Sequence, residues 1–397
     1  MMFKHVSMAP DDAILGLMEH YRQDPRVEKI DLTAGIYQDE NRLTPILKTV
    51  KEAEHQLELA ETTKSYLGIA GDLAYVKEVQ KLIFGEHDTR MADGQVTGLQ
   101  APGGTGALRV CAELIKVILP KATVWVSSPT WNNHPGIFNS IGVPTKNYRY
   151  YAAQNKGLDF EGLVEDLSLV PAGDVVLLHT CCHNPTGVDI SRSQWKVLVQ
   201  IAKERRFLPL FDFAYQGFGD GLEEDAFAIR LFTEQVEALL VASSYSKNFS
   251  LYNERVGAVS IVAATDEESK ILLSQAKQCA RGNYSNPPAH GATLVRMILS
   301  NPVATAAWEL EVQEMRERLA KMRELFVHGL NEVGAEGKFD FILAQKGMFS
   351  YSGLTRDQVL RLRSDAGIYM LESGRISLSG MNQKNIGTLC QAIAKVL

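Results

Sequence analysis

The run Ala238-Leu239-Leu240-Val241-Ala242-Ser243-Ser244-Tyr245-Ser246-Lys247-Asn248 joins an apolar stretch to small and hydroxylated residues and then to one lysine. The apolar half predicts a short buried strand, and Lys247 follows its carboxyl end. A lysine at the mouth of a core is desolvated, which lowers its pKa and leaves the amine nucleophilic. Most lysines that follow a strand are instead solvated surface charges, so this run alone leaves both interpretations open.

Strand and helix patterns alternate around this run. Strands are predicted at 95–101, 123–127, 174–180, 207–213 and 238–243, and helical patterns such as 195–206 separate them. This alternation predicts an α/β fold in which a mostly parallel sheet lies between layers of helices.

The C-terminal part has a different pattern. A long charged helix over 304–333 is followed by predicted strands at 339–343 and 348–351, a helix at 355–363, two more strands and a last helix, which indicates a smaller α+β domain. A helix predicted over 11–23, capped by Asp11 and Asp12, is expected to pack with it. These patterns divide the chain into an N-terminal arm (1–12), a small domain (13–44 and 315–397) and a large domain (45–314).

Composition and charge exclude several classes of function. The net charge is -6 and no basic stripe is interleaved with aromatic residues, which argues against a nucleic-acid partner. Five cysteines, an odd number in a long chain, favour a reducing compartment over a disulfide framework. The N-terminus lacks the apolar segment of a signal peptide, and no stretch approaches about 18 apolar residues. We therefore expect a cytoplasmic protein without a membrane partner.

Several side chains follow the other predicted strands, at the edge where open α/β sheets bind ligands. The turn Gly103-Gly104-Thr105-Gly106 precedes a helix and suits an anion, although such turns are also common in purely structural roles. Trp131 could stack on a flat ring or belong to the core. Asn184 follows another strand with its amide free to face a ligand. Asp212 lies in an apolar run and needs a partner, either a local structural group or a cationic ligand group.

The combination of these residues indicates the chemistry better than any one of them. Pyridoxal phosphate needs an amine for its aldehyde, a carboxylate for its ring nitrogen, donors for its phenolate oxygen, a ring to stack on and an anion site for its phosphate. The sequence supplies all of these at one end of the predicted sheet, together with several arginines.

Four runs carry a resemblance to a known family: His183-Asn184-Pro185-Thr186-Gly187, Asp212-Phe213-Ala214-Tyr215-Gln216-Gly217, Ser244-Tyr245-Ser246-Lys247-Asn248 and Tyr252-Asn253-Glu254-Arg255-Val256-Gly257. In combination they are highly specific. Essentially end to end, the chain resembles the class I aspartate/aromatic amino acid aminotransferases of the fold-type I pyridoxal-phosphate enzymes. The resemblance implies pyridoxal 5'-phosphate as cofactor, amino acid and 2-oxo acid substrates, and a homodimer with shared active sites.

The resemblance also implies how the large domain holds the cofactor. Lys247 would form a Schiff base with the cofactor and later carry the proton. Asp212 would pair with the ring nitrogen, supported by His134 from behind. Tyr215 and Asn184 would donate to the phenolate oxygen. The residues implied at the phosphate are Gly104, Thr105, Ser244, Ser246 and Arg255, with Tyr66 from the neighbouring subunit.

For the substrate, the resemblance implies a second group of residues. Arg375 would form a bidentate pair with the α-carboxylate. Arg281 of the neighbouring subunit would receive a side-chain carboxylate, and Gly35 lies in the loop that closes over the substrate. Trp131, stacked on the cofactor ring, and Asn184 would contact the substrate as well.

Positions near the substrate side chain give a mixed pattern. The residues that match the family's aspartate-preferring members are Thr44, Thr105 and Asn286, and those that depart from them are Ile36, Gln38 and Ser65. Gln38 stands where that pattern has a lysine, and the lost positive charge should ease entry of neutral aromatic side chains. We therefore expect ping-pong amino transfer from tyrosine, phenylalanine and aspartate to 2-oxoglutarate. The alternative is an aspartate aminotransferase with little aromatic activity.

Other functions fit the sequence less well. A nicotinamide dehydrogenase should show G-x-G-x-x-G, but Arg109 stands three positions beyond Gly106. A serine acyl-transfer enzyme could use Ser244 and Lys247 as S-x-x-K, but no S-D-N or K-T-G partner occurs. A metal site at 179–183 is not predicted, because adjacent cysteines on an extended chain point apart and no second Cys/His pair has zinc spacing. Lyase or decarboxylase chemistry shares the cofactor residues, and the pair Arg281 and Arg375 favours transamination of diacids.

Overall fold

The computed structural model of the chain describes residues 2–8 and 15–397. Its strands are β1 (Ile30–Asp31), β2 (Val96–Pro102), β3 (Val124–Ser128), β4 (Thr145–Arg149), β5 (Tyr151–Ala152), β6 (Gly157–Leu158), β7 (Val175–His179), β8 (Leu208–Phe213), β9 (Leu239–Ser244), β10 (Val256–Val262), β11 (Phe349–Tyr351), β12 (Ile368–Tyr369) and β13 (Arg375–Ser377).

The helices surround these strands. They are α1 (Leu15–Gln23), α2 (Lys48–Ala60), α3 (Leu73–Phe84), α4 (Thr89–Ala92), α5 (Gly103–Ile118), α6 (Asn133–Asn139), α7 (Phe160–Leu167), α8 (Arg192–Arg205), α9 (Leu222–Asp225), α10 (Phe227–Gln235), α11 (Asp266–Asn283), α12 (His290–Leu299), α13 (Pro302–Glu332), α14 (Arg356–Ala366) and α15 (Ile386–Val396). Among the described residues, no helix is long and apolar enough to cross a membrane.

A seven-stranded sheet forms the centre of the molecule, in the order β2-β10-β9-β8-β7-β3-β4. The pairs from β9 to β4 are parallel, and only β10 runs antiparallel to its neighbours β2 and β9. The inner strands are continuously buried because helices cover both faces. The expected α/β fold with a mostly parallel sheet is confirmed.

The register of the sheet determines where the polar side chains meet. Asp212 on β8 lies opposite His179 on β7 and opposite Ala242 on β9. Strand β9 continues to Ser244, and Lys247 follows in the next turn. Since these strands are parallel, their carboxyl ends bring Asp212 and Lys247 to one edge.

Two features of the chain differ from the expected elements. Residues 339–343 are not a strand; a 3₁₀ helix covers Asp340–Ala344, because a short apolar run does not by itself distinguish a strand from a turn of helix. Strands β4 and β10 of the central sheet are absent from the predicted set, although the seven residues of β10 are all buried. Strand β4 forms the edge beside β3, and β10 completes the sheet between β2 and β9.

Smaller sheets connect the ends of the chain. Strand β1 pairs in parallel with β12, and β11 pairs antiparallel with β13. Leu17 on α1 packs with Tyr369 and Leu371 in a small apolar cluster. The proposed caps Asp11 and Asp12 lie outside the described residues. The domain boundaries at residues 13, 45 and 315 stay a prediction.

Helix α13 packs against α2, α12 and α15. Asn301 caps its N-terminus by accepting from the N–H groups of Val303 and Ala304, and Pro302 follows at the first helical position. At a rise of about 1.5 Å per residue, the helix is roughly 46 Å long. Trp308 on its buried face has no exposed surface. Its truncation to alanine would remove about 3–5 kcal/mol of stability.

Candidate active site

A cavity opens at the carboxyl edge of the central sheet. The sequence-predicted residues that line it are Gly35, Gly104, Thr105, Trp131, Asn184, Asp212, Tyr215, Ser244, Ser246, Lys247, Arg255 and Arg375. The residues that line it without having been predicted are Leu108, Ala214, Tyr252 and Phe349. Side chains distant in the sequence therefore meet in one pocket.

Lys247 and Tyr215 lie against each other in this pocket. The Lys247 Nζ lies 4.9 Å from the centroid of the Tyr215 ring. Burial lowers the pKa of the Lys247 ammonium below its ordinary value of 10.5, and the charge of Arg255 acts in the same direction. Burial also raises the pKa of the Tyr215 phenol, which therefore remains a neutral O–H donor. The pair combines an amine that readily loses its proton with a phenol that keeps its own.

Asp212 is held by a buried histidine. The His134 Nε2 donates to Asp212 Oδ2 at 3.0 Å, and His134 Nδ1 lies 2.8 Å from the Thr130 hydroxyl. Burial, the largest single influence, would raise the pKa of Asp212, but the hydrogen bond from His134 and the neighbouring positive charges together outweigh it and keep the pKa below its ordinary value. Trp131 packs edge-on against His134, with ring centroids 5.2 Å apart. This pocket therefore contains a fixed, ionised carboxylate.

The turn from β2 into α5 forms an anion site with two other segments. Gly103 has a φ of 73°, and a Cβ there would lie 2.3 Å from the Arg255 guanidinium. A Cβ at Gly104 would lie 3.1 Å from that of Ser244. The Ser246 hydroxyl lies 3.5 Å from Arg255 Nη1 and 3.2 Å from the Ser244 hydroxyl. Glycines, hydroxyls, a guanidinium and a helix N-terminus together suit a phosphate.

Arg375 forms a second, separate cation in the pocket. It is only 3% exposed, and its Nη2 donates to the Thr33 carbonyl at 2.7 Å. Its guanidinium lies 4.2 Å from the centroid of the Phe349 ring. Burial lowers its pKa to about 10, so it stays charged at neutral pH. Its Nε has no hydrogen-bond partner among the described residues. A buried guanidinium with an unpaired N–H is suited to a carboxylate ligand.

Asn184 reaches the pocket from the loop after β7. The Asp189 carboxylate fixes this loop by accepting from the N–H groups of Cys182, at 2.7 Å, and His183, at 2.8 Å. Gly187 ends the loop at a φ of 69°, where a Cβ would lie 2.5 Å from the Phe349 carbonyl. The close approach requires glycine and brings the loop against β11.

The loop that carries Gly35 is attached at several points. Ser379 donates to the Ile36 carbonyl at 2.7 Å, and the Tyr37 N–H donates to the Tyr252 hydroxyl at 2.7 Å. Together with the bond from Arg375 to Thr33, these contacts hold the loop over the pocket. It is thereby connected both to β13 and to the turn before β10.

Two predicted site residues do not line the pocket. Tyr66 is 92% exposed, and Arg281 lies on the surface with its guanidinium hydrogen-bonded to Ser285. Their predicted roles therefore require a second subunit.

Comparisons with known proteins agree with this geometry. A family model described as aminotransferase class I and II matches residues 27–393. The chain belongs to this aminotransferase family. It is 51% identical to the aspartate aminotransferase of Escherichia coli K12 over the full length of both chains. It is 45% identical to the aromatic-amino-acid aminotransferase of Pseudomonas aeruginosa, with 99% of this chain and 98% of the relative covered.

The fold of the chain also matches that of solved aminotransferase structures. A crystal structure of the aromatic-amino-acid aminotransferase of Burkholderia pseudomallei, covalently bound to pyridoxal phosphate, superposes with a TM-score of 0.98 at 44% identity and full coverage of both chains. The resemblance to the class I aminotransferases is confirmed.

Sequence reasoning missed four pocket residues of this aminotransferase, Leu108, Ala214, Tyr252 and Phe349. Tyr252 belongs to one of the four runs that carried the resemblance, so its position next to Arg255 was a usable signal. Phe349 had none, because only the pairing of β11 with β13 shows that it packs against Arg375.

Proposed function

We propose that this aminotransferase uses pyridoxal 5'-phosphate to move the amino group of aspartate, tyrosine or phenylalanine to 2-oxoglutarate by a ping-pong mechanism. The observation that carries the proposal is one cavity lined by Lys247 and Asp212 together with two separate cationic groups, Arg255 and Arg375. One cationic group fits a cofactor phosphate and the other fits a substrate carboxylate.

The pocket residues fit this cofactor. Lys247 offers an amine whose pKa is lowered by burial, and Asp212 offers an ionised carboxylate whose Oδ1 accepts no hydrogen bond from the described residues. Tyr215 and Asn184 offer O–H and N–H donors to one side of such a ring. When bound, the cofactor supplies an aldehyde for covalent attachment of amines and a ring that withdraws electrons from the substrate Cα.

Each of the chain's own residues then has a separate role in the reaction. Asp212 holds a proton at the ring nitrogen. Arg375 binds the α-carboxylate and so fixes the direction of the Cα–H bond relative to Lys247. The released Lys247 amine, with its lowered pKa, removes the proton from the substrate Cα and then delivers it to the cofactor. The loop around Gly35 excludes water while this takes place.

We infer that the working unit is a homodimer located in the cytoplasm. Tyr66 and Arg281 lie on the surface, outside the pocket of their own chain, so their proposed contacts to phosphate and side-chain carboxylate would come from the neighbouring subunit. Large exposed apolar side chains lie on segments near Tyr66 in the sequence, which supports a covered face: Leu43, Ile46, Leu59 and Leu73. All five cysteines are free and buried, which suits a reducing compartment.

The dual specificity has support from relatives of both kinds. A structural neighbour from Psychrobacter sp. B6 is an aromatic amino acid aminotransferase cocrystallised with aspartic acid, with a TM-score of 0.97 and 38% identity. The alternative, an aspartate aminotransferase with little aromatic activity, is favoured by the higher identity to relatives named for aspartate. We base the dual proposal on Gln38, an uncharged residue in the loop around Gly35.

A visible absorption experiment on the cofactor-loaded protein tests the proposal. Addition of aspartate, or of phenylalanine, should change the absorption band of the bound cofactor, and 2-oxoglutarate should restore it. Lys247→Ala should abolish the cycle, and normal turnover in this variant would refute the assigned site. A failure of aspartate and phenylalanine alike would refute the function. Turnover of aspartate alone would select the alternative specificity.

A further inference from the structure

Asn248 directly follows Lys247 and does not line the pocket. It is fully buried, and its Nδ2 donates to the Gln216 carbonyl at 3.2 Å. Gln216 directly follows Tyr215. Strands β8 and β9 are last paired at Phe213 and Ser243. Beyond that point, within the described residues, this is the hydrogen bond that joins the Lys247 segment to the Tyr215 segment.

Each segment also has an anchor of its own. The Gln216 Nε2 donates to the carbonyls of Leu82, at 3.1 Å, and Leu222, at 3.0 Å. On the other side, the Trp308 Nε1 donates to the Asn248 carbonyl at 2.8 Å, and its ring stacks on Phe249 at 4.3 Å. Because each segment has its own anchor, loss of the Asn248 amide should change the distance between the two segments without unfolding either of them.

The other half of the same amide indicates that Asn248 adds little net stability. Its Oδ1 is buried without a hydrogen-bond partner among the described residues. An unsatisfied buried acceptor costs more free energy than one neutral hydrogen bond returns. A residue with a net cost beside the pocket is expected where function selects the geometry.

We propose that Asn248 is a positioning residue for amino transfer, which sets the distance between the Lys247 amine and the Tyr215 hydroxyl. The inference rests on the proposed function, since it assigns Lys247 and Tyr215 to one cofactor ring. Without the Asn248 amide, the two segments separate. The Tyr215 hydroxyl then no longer lies at hydrogen-bonding distance from the negatively charged oxygen of the bound cofactor. The bound cofactor then loses part of the stabilisation of its negatively charged oxygen.

The test compares Asn248→Ala with a matched control, Thr233→Val. Thr233 on α10 also donates a buried hydrogen bond to a main-chain carbonyl, that of Ile229 at 2.9 Å, and lies outside the pocket. We expect Asn248→Ala to lower kcat roughly ten- to hundredfold. It should also raise the pH midpoint of the cofactor's absorption change, measured without substrate. Thr233→Val should lower the thermal stability at least as much, with kcat and midpoint unchanged.

A second variant covers the case in which Asn248→Ala does not fold. In Asn248→Asp the buried carboxyl is protonated at low pH and can donate to the Gln216 carbonyl, but not once it ionises. The ratio of its kcat to that of the wild type should therefore fall as pH rises. A pH-independent ratio, or a wild-type midpoint in Asn248→Ala, would overturn the proposal. A wild-type protein that lacks the spectral cycle would instead overturn the proposed function.

Discussion

Lys247 and Asp212 have pKa values that are lowered for opposite reasons. Burial removes the favourable solvation of the Lys247 ammonium, whereas the hydrogen bond from His134 stabilises the Asp212 carboxylate against burial. Relative to free side chains, the pocket thus shifts the amine toward its neutral form and the carboxylate toward its charged form. These are the protonation states in which the amine attacks an aldehyde and the carboxylate holds a protonated ring nitrogen.

The lowered pKa of Lys247 predicts a pH-dependent stability. The folded-state pKa of Lys247 lies below the unfolded value, so the buried ammonium destabilises the cofactor-free protein. The full penalty applies at pH values below the folded-state pKa. This penalty fades as pH rises from the folded pKa toward 10.5. Lys247→Met should therefore raise the Tm of the cofactor-free protein near neutral pH, by an amount that shrinks near pH 9.5. Thermal melts at both pH values check this, and a gain independent of pH would contradict it.

Substitution of Arg375 should slow the first half-reaction with every amino acid substrate. Arg375→Lys keeps the charge but removes the bidentate fork. The lost fork should cost about 1.5–3 kcal/mol of interaction free energy with the α-carboxylate. The second-order rate constant of the first half-reaction should therefore fall roughly ten- to 150-fold for aspartate and phenylalanine alike. Arg281→Leu is the control, because it should impair aspartate only. Single-turnover spectra measure both, and a defect of Arg375→Lys restricted to aspartate would reverse the two assignments.

At the scale of elements, the turn from β2 into α5 follows a strand, as the sequence predicted. The glycine pattern alone left an anion site and a structural role open, the resemblance implied Gly104, Thr105 and Arg255 at a phosphate, and these three residues line one cavity. Strand-end reasoning succeeded because parallel strands share one edge. It failed for β4, for β10, for the 3₁₀ helix at Asp340–Ala344 and for Phe349 as a pocket residue. The contact of Phe349 with Arg375 depends on residues that are remote in the chain, whereas the β-branched run of β10 is a local strand signal.

The close approach at Gly103 predicts a specific loss of cofactor affinity. In Gly103→Ala, the added Cβ would displace the Arg255 guanidinium and strain a backbone with φ of 73°. We expect the cofactor to bind roughly tenfold more weakly or worse, since a charged hydrogen bond contributes about 1.5–3 kcal/mol. Equilibrium dialysis of the cofactor checks this. Gly387→Ala on α15, where a Cβ meets no atom within 4 Å, is the control. Equal affinity in both variants would refute the anion site.

At the scale of the whole molecule, the pocket of one chain accounts for most of the proposed contacts but not for Tyr66 and Arg281. Both lie on the surface and outside the cavity. No sequence pattern in a single chain reveals which residues a second copy contributes. The resemblance implied them, and the exposed positions are what a shared site requires.

Hybrid dimers provide a direct test of the shared site. Lys247→Ala and Arg281→Leu subunits, each inactive toward aspartate as a homodimer, should recover activity when refolded together. A hybrid contains one pocket with an intact Lys247 and an intact Arg281 from its partner. With random mixing, about a quarter of the wild-type aspartate activity should return. If Arg281 instead serves the pocket of its own chain, the mixture stays inactive.

One pocket should transfer an amino group from either class of amino acid to 2-oxoglutarate. Isotopically labelled amino nitrogen can be followed from aspartate, and separately from phenylalanine, by mass spectrometry of the products. Labelled glutamate should form from both amino acids, and from neither with Lys247→Ala. Label released as ammonia, or labelled glutamate formed by the Lys247→Ala protein, would contradict the proposed function.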